Sequence, residues 1–283
     1  MHVVVWYQVI ILAMICNIPV GYFAYKKRSL TQPYGLITAG FVGAITFLAH
    51  PLYWIMLLAF FGSSTILTRY KNTNKLKENA LKLAEKGGQR DSKQVLANGG
   101  IALIISSYSI IKWGFWYDNL NTSIAFMITI SFAVTNSDTW ATEIGVLSKR
   151  KPIWILNPLK TVPNGTSGGI SVLGIGASIS GAAFIGLIYS ISLTLTTSLH
   201  VLFIITIAGL TGSLIDSLLG ATIQCMYHCT VCDKITEKNY HKDCSSECTY
   251  KKGVKFINND LVNILSVIFT LIIFNNFILY LFI

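Results

Sequence analysis

The chain has 283 residues, of which 53% are apolar and only 12% charged, too much apolar surface and too little charge for a water-soluble domain. A net charge of +10 on that background is an orientation signal with attraction to anionic lipid headgroups, and nucleic acid is excluded as a partner. The expected class is an all-α, polytopic integral membrane protein in which 1–283 form a single membrane domain.

A helix needs about 17 to 25 mostly apolar residues to cross a bilayer. Eight runs qualify as candidates, at 3–23, 34–49, 51–68, 95–112, 119–137, 168–190, 199–221 and 260–282. The first lacks a basic start and a small-residue cleavage site, so it reads as a retained helix. The second and third are separated by His50-Pro51, a tight hairpin with proline in the first turn, where its missing N–H costs nothing. Of the 22 Lys and Arg, 21 fall in the connections after helices 1, 3, 5 and 7, which the positive-inside rule places in the cytoplasm with both termini outside.

After helix 3, residues 69–94 are lysine-rich and polar, with Leu76, Ala80, Leu83 and Ala84 at helical spacing. This predicts an amphipathic helix on the cytoplasmic membrane surface. It closes at Gly87-Gly88, beside Arg90, with Asn98 in the first turns of helix 4. Arginine near a glycine pair and an asparagine is compatible with phosphate recognition, and equally with a helix stop and a snorkelling cation.

The stretch 138–167 carries the densest chemistry and is expected to be a cytoplasmic active-site loop. Asp138 is placed at the end of helix 5, with Thr142 and Glu143 beyond it, and Lys160 can neutralise a phosphoryl oxygen. Asn164, Gly165, Thr166, Ser167 and Gly168 lie in a Gly/Ser/Thr-rich turn whose N–H groups can converge on an anion before helix 6. Asp216, near the end of helix 7, and Asp260, opening helix 8 beside Asn259, come to the same depth as Asp138. Carboxylates against apolar helices are costly and usually face a cavity or a cation. A shared magnesium site on Asp138, Asp216 and Asp260 is therefore expected, with an N-cap role open for Asp260.

The connection 222–258 is rich in Cys and His. Cys229-x2-Cys232 followed by His241-x2-Cys244 has the spacing of a structural zinc site of three thiolates and one imidazole, with Cys248 as a competing ligand. A cytoplasmic location argues against stable disulfides.

The segments NSDTWATEIG, KTVPNGTSGGIS, GSLIDSLLGAT, NNDLVNIL and GGQRDSKQVLANGG resemble the membrane family that contains transmembrane protein 19 and the plant phytyl-phosphate kinase. The pattern of Asp138, Ala141 and Gly145, then Lys160-Thr161 and Gly165-Thr166, is more distantly similar to the active-site segment of dolichol kinases, and CDP-diacylglycerol synthases share that broader architecture. The resemblance implies a CTP-dependent, magnesium-dependent kinase acting on an isoprenoid monophosphate, with Asp138, Lys160 and Gly165 in the nucleotide and metal site and Asp216 and Asp260 completing it. An isoprenoid alcohol kinase, a cytidylyltransferase acting on a lipid phosphate, and a transporter stay open as alternatives, as does a homodimer.

Overall fold

A computed structural model describes residues 2–73, 89–116, 123–193, 195–241 and 244–282. Among them are eight helices: α1 His2–Lys26, α2 Tyr34–Ala49, α3 Pro51–Thr73, α4 Ser92–Trp113, α5 Ser123–Gly145, α6 Val172–Ser190, α7 Leu195–Thr222 and α8 Asn259–Phe282. Each overlaps one of the eight apolar runs, with α3 and α5 running five and eight residues past the ends of theirs. By length and composition five are long and apolar enough to span a membrane, α2 and the described part of α8 are apolar but shorter, and α5 is not among either group.

The reason α5 differs is its position. It packs against α3, α4, α6, α7 and α8, and every residue from Ile124 to Ser137 except the partly buried Met127 is buried. With no lipid-facing side it tolerates Thr129, Ser131, Thr135, Asn136 and Ser137, whose side chains bond protein partners. Asn136 Nδ2 donates to Gly181 O at 2.7 Å, and the Ser137 and Ser178 hydroxyls lie 2.6 Å apart. Small residues let the neighbouring backbones approach. A Cβ on Gly145 would lie 3.3 Å from Gly174 Cα, and one on Gly181 would lie 3.0 Å from the Trp140 ring. The outer helices show the complementary pattern, with large apolar side chains such as Ile18, Phe41, Ile66, Ile111 and Phe203 exposed, as a bilayer requires.

Helix ends follow local chemistry. His50 is extended and its Nδ1 accepts from Leu52 N at 3.1 Å, so it caps α3 while Pro51 occupies the first turn. Asp91, Ser171 and Asn258 accept from the amides of Gln94, Gly174 and Leu261 to cap α4, α6 and α8. The helix expected over 69–94 falls mainly on 74–88, outside the described residues. Of the described remainder, 69–73 belong to α3 and 92–94 to α4, while Gln89, Arg90 and Asp91 are non-helical, with Arg90 bridged to Leu30.

The short connections at one end and the long, cation-rich ones at the other separate cleanly. Trp116 Nε1 donates to Phe47 O at the first end. At the second, Thr31 N donates to Arg90 O and Arg90 N to Ser29 O, Thr68 Oγ1 bonds Glu143, and the Asn98 and Asn263 amides meet at 3.1 Å. Strands not expected from the sequence decorate this end. In the α5–α6 connection, β1 (Ile153–Trp154) pairs antiparallel with β2 (Asn157–Thr161) and β3 (Gly169–Ile170). In the α7–α8 connection, β4 (Met226–Cys229) lies between β5 (Lys234–Thr236) and β8 (Thr249–Lys252), while β6 (Tyr240–His241) pairs with β7 (Ser246–Glu247).

Candidate active site

Three helices turn small or polar stripes toward one another at the cation-rich end. Asp138, Ala141, Thr142 and Gly145 lie on one face of α5; Ser171, Gly174, Ile175 and Ser178 belong to the start of α6; Leu210, Ser213, Leu214 and Ser217 lie on α7 with Asp216 beside them. Each set follows the three- and four-residue spacing that brings side chains to one helix face. Together with Gly165–Ile170, Glu237 and Asn259 they line a cavity of about 160 Å³.

The two carboxylates are held from opposite sides. Ser213 Oγ donates to Asp138 Oδ1 at 3.5 Å, linking α5 to α7. The orientation of the Asn263 amide that satisfies both its ends puts its nitrogen 2.9 Å from Asp216 Oδ2 and its oxygen against the Asn98 amide. Asp216 is thereby tied to α8, and through it to α4. Neither aspartate sits at a helix end: α5 continues to Gly145 and α7 to Thr222.

The glycine-rich turn is pressed against α7. Gly165 and Gly168 have φ of +82° and +83°, backbone that L side chains rarely adopt. A Cβ on Gly168 would lie 2.5 Å from Ala221 Cβ and 3.1 Å from Ser217 O. The amides of Thr166 and Gly169 bond within the turn, to Pro163 O and Thr166 O. Those of Gly165, Ser167 and Gly168 make no backbone hydrogen bond among the described residues. Ser167 Oγ donates to Gln224 Oε1 at 2.9 Å, and Gln224 Nε2 donates to Glu237 Oε1 at 3.0 Å, so the α7–α8 connection closes over the turn.

Of the residues singled out in the sequence, Asp138, Thr142, Gly165, Thr166, Ser167, Gly168, Asp216 and Asn259 line this cavity. Others do not. Lys160 lies on exposed β2 with its ammonium 5.4 Å above the Trp154 ring. Asn164 holds the turn that follows α5, donating to Ser148 O at 3.1 Å. Asp260 is neither the cap of α8, a role filled by Asn258, nor part of the cavity wall. The three aspartates do not gather around one point: among the described residues, the single group of three or more Cys, His, Asp or Glu side chains close enough to share an ion is Cys229, Cys232, His241 and Cys244.

Arg90 and Asn98 line a second, mostly apolar cavity of about 70 Å³ between α1, α2, α3 and α4. Arg90 donates to Thr65 Oγ1 at 3.2 Å and stacks over Phe61. Burial lowers its pKa, and the Glu143 carboxylate offsets only part of that shift. Glu143 is five residues after Asp138, about 140° around the helix, so it faces α3 and accepts from Thr68 Oγ1 at 3.0 Å. The two acids of this stretch therefore serve different neighbours.

Sequence reasoning missed Ser178, Ser213, Ser217 and Glu237 in the cavity wall. Ser213 carried a signal in its three-residue spacing to Asp216, and Ser217 in its four-residue spacing to Ser213; Ser178, on another helix, and Glu237, brought there by a short irregular connection, carried none. In the Cys/His group, hydrogen bonds from the Ser246 hydroxyl and the Cys232 amide pull Cys229 down to about 5. The hydrogen bond with Cys232, with burial and the neighbouring thiols, pushes Cys244 up to about 12.

The model of an integral membrane protein family, DUF92, matches residues 15–271. The chain belongs to that family. Among DUF92-like relatives, it is 34% identical to Protein PGR of Arabidopsis thaliana, over 92% of this chain and 93% of that one. An uncharacterized membrane protein of Methanocaldococcus jannaschii is 32% identical over 70% of this chain and 77% of its own length. Protein VTE6, chloroplastic, of Arabidopsis thaliana is 24% identical over 82% of this chain and 61% of its own. No solved structure matches the chain. The family assignment bears out the resemblance read from the five motifs, and every one of those motifs except the start of GGQRDSKQVLANGG lies in the described DUF92 fold.

Proposed function

We propose that the protein is a CTP-dependent, magnesium-dependent kinase that converts an isoprenoid monophosphate to the diphosphate at the cytoplasmic membrane face. The observation that carries this reading is the composition of the cavity wall. Asp138, Asp216 and Glu237 meet a glycine-rich turn, and no Lys, Arg or His among the described residues lines the cavity with them.

Carboxylates lining one cavity repel an incoming phosphate. An anionic substrate can settle beside Asp138 and Asp216 only together with divalent cation. The donor set fits magnesium: all oxygen, two carboxylates with Ser213, Ser217 and Thr142 hydroxyls nearby, and room for substrate oxygens to complete the octahedron. When bound there, the ion supplies charge neutralisation between donor phosphates. Ser213 and Asn263 fix the carboxylates from behind. The amides of Gly165, Ser167 and Gly168 provide N–H groups for phosphoryl oxygens.

The acceptor is better suited as a phosphate than as an alcohol. A phosphate monoester is largely dianionic near neutral pH, its second pKa being about 6, so its oxygen attacks without a general base. An alcohol would need one. Ile175, Leu210 and Leu214 form an apolar part of the wall along α6 and α7, chemistry that suits an isoprenoid tail. The cytoplasmic placement rests on the sequence, in which 21 of the 22 Lys and Arg follow helices 1, 3, 5 and 7, and a nucleotide arrives there from water.

The test is product analysis. Purified protein is given CTP carrying a labelled γ-phosphate and phytyl or farnesyl monophosphate, with and without magnesium. The reading predicts labelled lipid diphosphate and CDP, dependent on magnesium. Pyrophosphate with a CDP-lipid would instead identify a cytidylyltransferase, and turnover indifferent to magnesium would overturn the metal assignment.

A further inference from the structure

The α7–α8 connection holds a site that the phosphotransfer reading does not use. Cys229 and Cys232 sit on the turn joining β4 to β5, and His241 and Cys244 on the turn joining β6 to β7. Both turns need unusual backbone, with φ of +57° at Asp233 and +47° at Ser245. Each turn directs its two ligand side chains toward the other. All four ligand atoms lie within 4.8 Å of one another, with His241 Nδ1 3.4 Å from Cys232 Sγ and 3.2 Å from Cys244 Sγ. Tetrahedral zinc, with bonds of about 2.0–2.3 Å, sets its ligands about 3.5–3.8 Å apart, so the four atoms are near the required positions. Cys229 and His241 are buried, at 0% and 2% exposure, as in a closed structural site rather than a catalytic one with an open position. Cys248 stands outside the group of four.

We propose that Cys229, Cys232, His241 and Cys244 bind one structural zinc ion, and that this ion holds the α7–α8 connection closed over the Asp138–Asp216 cavity. The zinc assignment stands on the four ligands alone; only the identity of the cavity beneath it rests on the proposed phosphotransfer. The covering role follows from chain connectivity. The ion pins both ends of the segment 233–240, whose centre carries Glu237 into the cavity wall. Glu237 accepts from Gln224, which accepts from Ser167 of the glycine-rich turn. The module is anchored to α7 by Lys252 Nζ, which donates to Ala221 O at 2.7 Å, and its two ends are tied together by Cys225 N, which donates to Ile257 O at 2.7 Å. Without the ion, the two turns are joined only by the intervening segment 233–240 and by side-chain contacts such as that of Cys229 Sγ with Ser246 Oγ at 3.3 Å. A module of strands two to four residues long buries too little to stay closed alone, the usual case for small metal-held units.

Elemental analysis of the full-length protein purified in detergent should find one zinc per chain, retained in Cys248→Ser and lost in Cys232→Ser and Cys244→Ser. Because those two variants could fail to fold, the wild type carries a second measurement. Removing the metal with a chelator should open trypsin cleavage after Lys234 and Lys238 while helical circular dichroism stays constant, and added zinc should restore protection. Cobalt substituted into the same protein should give the visible absorption of a thiolate-rich tetrahedral site. Absence of stoichiometric zinc together with no cobalt spectrum overturns the site. A loaded site whose removal leaves trypsin protection unchanged overturns the closing role. Neither readout depends on kinase activity, so failure of the proposed reaction and failure of the zinc site are distinguishable.

Discussion

Replacing Gly168 with alanine should damage both the packing of the glycine-rich turn and turnover, and the size of the effect can be worked from the geometry. At φ of +83° an L side chain costs about 1–2 kcal/mol. The added Cβ would also lie 2.5 Å from Ala221 Cβ and 3.0 Å from Ala221 Cα on α7, and overpacking of this kind adds about 1–3 kcal/mol. The turn can escape only by moving off α7, because α7 is a packed helix and cannot yield locally. That displacement pulls Ser167 from Gln224, now 2.9 Å away, and shifts the Gly165–Gly168 amides relative to Asp138 and Asp216. A misplacement of about 1 Å at a reacting centre costs on the order of a hundredfold in rate. Gly176→Ala on α6 is the control: its Cβ meets nothing within 4 Å, and helix propensity favours alanine there by about 0.5–1 kcal/mol. Thermal unfolding in detergent and CTP-dependent turnover should therefore fall together in Gly168→Ala and neither should fall in Gly176→Ala. Wild-type turnover and midpoint in Gly168→Ala would refute the packed-cradle geometry.

Other substitutions separate the cavity from its surroundings. Asp138→Asn and Asp216→Asn each remove a negative charge from the wall and should lower kcat/KM by about a thousandfold or more while the unfolding midpoint stays near wild type; kinetic assays beside a thermal melt check this. Lys160→Ala should stay within about threefold of wild type in steady-state kinetics, since its ammonium lies over Trp154 outside the cavity. Arg90→Ala should destabilise by about 1–3 kcal/mol, by loss of its bond to Thr65 and its attraction to Glu143, with little change in KM for CTP. A melt at unchanged KM confirms that; a raised KM with an unchanged melt would return Arg90 to the substrate site.

The helices were legible because membrane helices announce themselves by long apolar runs, and seven of the eight were placed within five residues of their ends, whereas the run at 119–137 stops eight residues short of the end of α5 at Gly145. What the runs could not show was which helix is central. The low apolarity of α5 reads in isolation as a weak span, whereas its Asn136, Ser137 and Thr135 are bonded inside the bundle. In the site, Asp138 and Asp216 stood out because carboxylates in apolar helices need a reason. Asp260 did not follow them because Asn258 takes the cap, and the helical phase then turns Asn259 and Asn263, not Asp260, to the cavity and to Asp216. Lys160 lies apart from the cavity wall because its neighbourhood folds as a β-hairpin that carries its ammonium over Trp154, and strands of two to five residues leave no periodic trace in a sequence. The Cys/His spacing, by contrast, survived intact, because ligand pairs two residues apart constrain their own turns whatever surrounds them.

The central claim is that Asp138 and Asp216 jointly hold the divalent ion on which phosphate binding depends. Manganese can stand in for magnesium and be followed by its electron paramagnetic resonance during titration of the purified protein with CTP present. The account predicts a bound manganese signal in the wild type and in Asp260→Asn, and its loss in both Asp138→Asn and Asp216→Asn. Retention of the ion in either of those two variants, or its loss in Asp260→Asn alone, would contradict it.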